Sequence, residues 1–155
     1  MYISEKMEKC FEIIKANPNK FVVNEQMNNV QEYLVNNFSC NNVPADVLEF
    51  FEFTDGMNIK FVSFYSISKE NKLVPMLTFD PYSTIDQIEN FCSAYGVNKN
   101  AFMFFGEDGR QGKFAFLKNV PYSRSIFHFK GEDVYEIREY ACFADLLNEI
   151  LLESL

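Results

Sequence analysis

The apolar positions of the chain change period several times, and each change marks an element. After Ser4 and Glu5, Met7, Cys10, Phe11 and Ile14 recur at helical spacing. They predict an amphipathic helix that ends near Ala16, because Asn17 precedes Pro18 and the residue before a proline avoids helical angles. A second stripe, Met27, Val30, Leu34, Val35 and Phe38, predicts a helix from Asn24 that breaks over Ser39 to Asn42. In the next segment Pro44 suits a first helical turn and Asp46 the positive end of the helix dipole, while Val47, Leu48, Phe50 and Phe51 supply a buried face. Gly56 is expected to stop this helix in a left-handed cap.

Ile59 to Ser68 and Leu73 to Phe79 are rich in aliphatic and aromatic residues without helical spacing, so they read as two strands joined by a turn over Ser68 to Asn71. Thr84 and Gln87 have the spacing of a capping box, and Ile85, Ile88, Phe91, Cys92 and Tyr95 form the inner stripe of a helix that Gly96 ends. Ala101 to Lys118 is the stretch around which the sheet is organised. Two apolar runs, Phe102 to Phe105 and Phe114 to Leu117, flank Gly106, Asp108-Gly109 and Gly112, a strong hairpin signal. Its loop, taken as Gly106 to Gly112, carries Glu107, Asp108 and Arg110 to the surface. Ser125 to Lys130 and Val134 to Arg138 read as two further strands turned at Gly131-Glu132-Asp133, and a last helix from Phe143 stripes Leu146, Leu147, Ile150, Leu151 and Leu155.

Strands grouped together rather than alternating with helices indicate an α+β fold, a mostly antiparallel sheet of about six strands packed by helices. At 155 residues the chain is the size of one domain. A domain spanning 1–155 is expected, with residues 1–19 as an N-terminal helix and linker. The 18 Phe and 8 Tyr, with no Trp, make a phenylalanine core the expectation.

Charge narrows the partners. Fourteen Lys and Arg against 22 Asp and Glu give a net charge of −8, which repels phosphate backbones and anionic lipid and steers a basic protein inward. Direct nucleic-acid and membrane binding are thereby disfavoured. Cys10, Cys40, Cys92 and Cys142 are far apart, and no apolar signal stretch opens the chain, so free thiols in a reducing cytoplasm are expected.

Candidate chemistry is sparse. His128 is the only histidine, and in Phe127-His128-Phe129 it alternates with two rings, so it is expected on the more exposed face with Lys130 or as a satisfied polar group at the rim. One histidine and scattered cysteines do not match zinc spacing, and the acidic loops lack a calcium-ligand series, so no metal or cofactor is implied. Gly106, Gly109 and Gly112 lack a following Gly-Lys-Ser/Thr and sit between strands, which makes them turn residues rather than a phosphate cradle. Glu107 and Asp108 are likewise better read as turn acids than as an acid–base pair. The remaining reading is surface binding: Glu107, Asp108, Arg110, Glu132 and Asp133 on two turns, with Tyr65, Tyr82 and Tyr122 as exposed anchors, facing a basic partner.

Three segments give that reading a family. VPADVLEFFEFTDGMN is similar to the proline-led, glycine-ended helix of the SUKH superfamily, which includes the fungal Smi/Knr-type cell-wall assembly regulators and many bacterial immunity proteins. FMFFGEDGRQGKFAFL resembles its glycine-rich hairpin and IREYACFADLLNEIL its closing segment, so the resemblance covers residues 20–155. Two positions depart from the pattern: Lys113 stands where an acidic residue often follows the glycine, and Cys142 where Ser often caps the last helix. Pro44, Gly56, Gly106, Gly109 and Gly112 would be the structural turn and cap positions. The resemblance implies a non-catalytic cytoplasmic protein that binds and occludes a cognate polymorphic toxin, often a nuclease. The alternative it carries is a regulatory or scaffold module of the same fold that binds a host protein.

Overall fold

The computed structural model describes residues 3–23, 28–67, 93, 101–110, 112–130 and 137–155. Within these, helix α1 spans Ile3–Ala16, strand β1 Phe21–Val23, α2 Val30–Phe38, α3 Ala45–Phe53, β2 Met57–Ile59 and β3 Val62–Phe64. Then come β4 (Phe102–Glu107), β5 (Lys113–Leu117), β6 (Ile126–Phe129), β7 (Ile137–Tyr140) and helix α4 (Phe143–Ser154). The strands form one sheet in chain order, β1 to β7, and every described pairing is antiparallel. The fold is α+β, as the grouping of strands implied.

The helices pack on one face of this sheet. Met7, Cys10 and Ile14 of α1, Phe50 and Phe51 of α3 and Leu147 and Leu151 of α4 share a core with Met57, Phe64, Phe105, Phe114 and Ile126. Phe64 is its hub, with ring centroids 5.3 Å from Phe50, 5.4 Å from Phe143 and 5.9 Å from Phe105. On the other face Phe102, Phe104, Phe127 and Phe129 bury a second aromatic cluster around Ala115. The phenylalanine core is therefore two cores, one on each side of β4 to β6.

Several expected boundaries move. The second helix begins at Val30 rather than Asn24, since Asn29 adopts a left-handed conformation (φ 58°) just before it and Phe21–Val23 pairs with β2. Pro44 is the N-cap of α3, one position ahead of the first turn. The cap expected at Gly56 falls at Thr54, which is extended and donates its N–H to Phe50; Gly56, at φ 88°, instead turns the chain into β2. The strand expected over Ile59 to Ser68 is two strands, because Lys60 at φ 54° makes a tight turn between β2 and β3. Of the strand expected over Val134 to Arg138, residues 137 and 138 lie in β7, which runs on to Tyr140, and residues 134–136 lie outside the described residues. Leu155, expected on the inner stripe, is exposed at the end of α4.

The hairpin loop is shorter than Gly106 to Gly112. Gly106 and Glu107 belong to β4 and pair with Phe114 and Lys113, leaving residues 108–112 as the loop. A β-bulge at Phe105 opposes both Phe105 and Gly106 to the face of Phe114. Gly106 is required there, since a Cβ would lie 2.9 Å from both the Phe64 ring and the Ser63 carbonyl. The strand expected over Leu73 to Phe79, the turn Ser68 to Asn71, the helix Ile85 to Tyr95 apart from Ser93, which is helical, and the turn Gly131 to Asp133 lie outside the described residues.

Candidate functional site

The bulge decides where the hairpin's acids go. Glu107 turns to the same face as Lys113 and Phe129, where its carboxylate accepts hydrogen bonds from Lys113 Nζ and the Tyr65 hydroxyl, both at 3.1 Å. Burial pushes the Lys113 ammonium down, but its bonds with Tyr65 and Glu107 outweigh that and leave it raised. The Tyr65 phenol is raised chiefly by burial. Tyr65 is therefore not the exposed anchor expected; it is buried in this polar triad.

Asp108 goes the other way. Its Oδ1 accepts the N–H groups of Arg110 (2.7 Å) and Gly112 (2.9 Å), and its Oδ2 lies 2.7 Å from Nε2 of His128. The side chains of His128 and Asp108 are only 14% and 15% exposed. Burial raises the Asp108 carboxyl, yet the His128 bond and the two N–H donors together hold it below its ordinary value. An ionised carboxylate only accepts, so Nε2 carries the proton in this pair. Gly112 makes the fold-back possible, since a Cβ there would overlap the Asp108 carboxylate. His128 is thus a satisfied polar group, and it lies on the helix-bearing face, in a cross-strand row with Phe114 and Arg138.

That row floors a groove of about 590 Å³. One wall is α4, through Leu146, Glu149, Ile150 and Glu153; the other is the pair of hairpin tips, residues 59–62 and the loop from Asp108. The tips abut. Gly109, at φ 80°, lies so close to Phe61 that a Cβ would sit 2.6 Å from the Phe61 Cβ and 2.7 Å from its carbonyl oxygen. Phe61 itself is 82% exposed. At the far end, Glu149 accepts from Arg138 at 2.9 Å and from the Tyr140 hydroxyl, and burial followed by the Glu149 carboxylate raises the Tyr140 phenol well above its usual range.

Of the residues singled out from sequence, Asp108 and Arg110 line the groove and Glu107 does not. Glu132, Asp133 and Tyr82 lie outside the described residues, and Tyr122, 94% exposed, belongs to the β5–β6 connection. Sequence reasoning missed Phe61, which it placed inside a strand, and the Arg138–Glu149–Tyr140 set. The alternation of Arg138 and Tyr140 was a usable signal, whereas nothing in the pattern linked them to Glu149. Among the described residues no group of three or more His, Cys, Asp or Glu is placed to hold a metal ion, and no helix is long and apolar enough to cross a membrane. Cys10, Cys40 and Cys142 are free and buried, with burial pushing the first two thiols up to about 11.

Comparison of the chain with models of known protein families and with curated proteins finds no match. The chemistry of the groove and its tips therefore rests on their own residues.

Proposed function

We propose that the protein is a non-catalytic binding domain of the SUKH type that neutralises a cognate toxin by covering it. The observation that carries this reading is Phe61, a large aromatic side chain 82% exposed, whose Cβ and carbonyl pack against Gly109 of the neighbouring tip. A large aromatic ring presented to water is the kind of group that anchors a protein interface, since docking buries much apolar area. Of the charged groups lining the groove below it, Asp108 is held by His128 and Glu149 by Arg138. The net charge of −8 speeds encounter with a basic protein such as a nuclease. Buried, free thiols suit action in the cytoplasm of the producing cell.

The family reading draws support from how its segments meet. Asp46, in the proline-led segment, accepts the N–H of Ala144 in the closing segment, so two of the three resembling stretches share a buried contact. The test is co-expression with the product of the adjacent gene. Rescue of growth and co-purification by the native chain, both lost in Phe61→Ala with an unchanged thermal melt, is the expected result. If no neighbouring product is toxic or retained, the immunity reading fails; a retained but harmless partner would point instead to a regulatory module.

A further inference from the structure

The described lining of the groove between α4 and the hairpin tips carries a formal charge opposite to that of the molecule. Among the described residues four Lys and Arg line it, namely Lys60, Arg110, Lys130 and Arg138, against the acids Asp108, Glu149 and Glu153, so this lining is formally +1 in a chain of −8. Two of those acids are already answered in place: Asp108 by His128 and two backbone N–H groups, Glu149 by Arg138 and Tyr140. Lys60 and Arg110, one on each abutting tip, make no ion pair among the described residues.

We infer that this groove binds a monoanionic carboxylate with an apolar body, its carboxylate taken by Lys60 and Arg110. The volume, about 590 Å³, falls within the range of small-ligand sites. Arg offers a planar fork that matches a carboxylate and Lys a compact charge, and both are mounted on tips whose separation the Gly109–Phe61 contact fixes. Beside them Phe61, largely exposed, and the half-buried Val62 supply apolar surface for the rest of the ligand, above the buried Phe114, Leu146 and Ile150. A carboxylate suits the two cations of the tips, while the field of the whole chain repels a multiply charged phosphate most strongly. The carboxylate has two sources, a free organic acid or the C-terminus of a polypeptide.

Calorimetric titration of the full chain separates these. The probes are 3-phenylpropionate and a short peptide ending in Phe with a free carboxylate, each against its amide, with inorganic phosphate as competitor. The expected result is saturable binding of at least one acid, weakened about tenfold or more in its amide and by a similar factor in the Lys60→Ala/Arg110→Ala double variant. Both replaced side chains are exposed, and an unchanged circular-dichroism melt confirms the fold. Binding of the small acid alone assigns a free organic acid, and tighter binding of the peptide assigns a chain terminus. Equal binding of acid and amide, an unaffected double variant, displacement by phosphate at equal concentration, or no saturation by about 10 mM would each overturn the inference. None of these readouts involves a toxin, so the site stands or falls separately from the immunity reading.

Discussion

Asp46, in the first turn of α3, accepts the backbone N–H of Ala144, the second residue of α4, at 3.0 Å. The same carboxylate accepts the N–H of Val47 at 3.1 Å, so one buried acid serves the N-termini of two helices. It is needed because Cys142, the N-cap of α4, makes no side-chain capping bond. A missing hydroxyl in one segment is made good by a carboxylate from another.

Removing that carboxylate leaves two buried N–H groups without their acceptor. Asp46→Ala should lower unfolding free energy by about 2 kcal/mol, the scale of a lost cap and an unsatisfied buried donor. Asp46→Asn keeps an acceptor oxygen and should cost clearly less. Urea denaturation of both variants measures the difference, and equal losses would mean that packing rather than capping matters at this position.

Much of the fold was legible because its strongest signals are local. The stripe Met7, Cys10, Phe11, Ile14 gave α1, and Leu146, Leu147, Ile150, Leu151 gave α4, since a one-sided helix writes its burial into its spacing. The β4–β5 hairpin announced itself through Asp108-Gly109. The turn at Lys60-Phe61 did not, because a lysine at positive φ carries none of the Gly or Asn chemistry that marks such turns. The bulge at Phe105 was hidden for another reason: both faces of β4 are phenylalanine, so a change of register leaves no trace in the pattern. With the turn and the bulge went the groove, since they set Phe61 at its rim and Asp108 in its wall.

The buried Asp46 and the half-buried Asp108 should respond oppositely to pH. Burial raises the Asp46 carboxyl above its ordinary value of 3.8, outweighing its N–H bonds, so the folded state holds that proton more tightly than the unfolded chain. Its contribution is fully present below 3.8 and is lost as pH rises through the raised folded value. Asp108, held below 3.8, stabilises the fold above that value and ceases to as pH falls through its lowered one. Measured from pH 7 toward acid, the stability of the native chain minus that of Asp46→Asn should therefore rise, and the difference from Asp108→Asn should fall. Parallel slopes would show that the two environments do not differ as described.

Gly112 and Asp108 act as one unit. A methyl group at position 112 overlaps the Asp108 carboxylate, so Gly112→Ala should expel Asp108 and strip His128 of its partner. A loss of about 2 kcal/mol is expected, comparable to that of Asp108→Ala, which orphans the same donors. Because both changes remove one network, the double variant should be little worse than either single. Additive losses in a double-mutant cycle would separate the glycine from the Asp108–His128 hydrogen bond.

Gly109 joins the stability of the loop to the use of the groove. At φ 80° any side chain costs about 1–2 kcal/mol, and here a Cβ would also strike the Phe61 backbone at 2.7 Å. The cheapest relief is to part the two tips, which moves Phe61 without deleting it and separates Lys60 from Arg110. Gly109→Ala should then weaken both capture of a protein partner by Phe61 and binding of a carboxylate in the groove, although no residue proposed to contact either has changed. Phe61→Ala should remove the first and spare more of the second, since Lys60 and Arg110 stay where β2, β3 and the Asp108 turn hold them. Affinities of the two variants for partner and for 3-phenylpropionate, measured side by side, decide it: if Gly109→Ala leaves both intact, the contact between the tips does not set the geometry of the site.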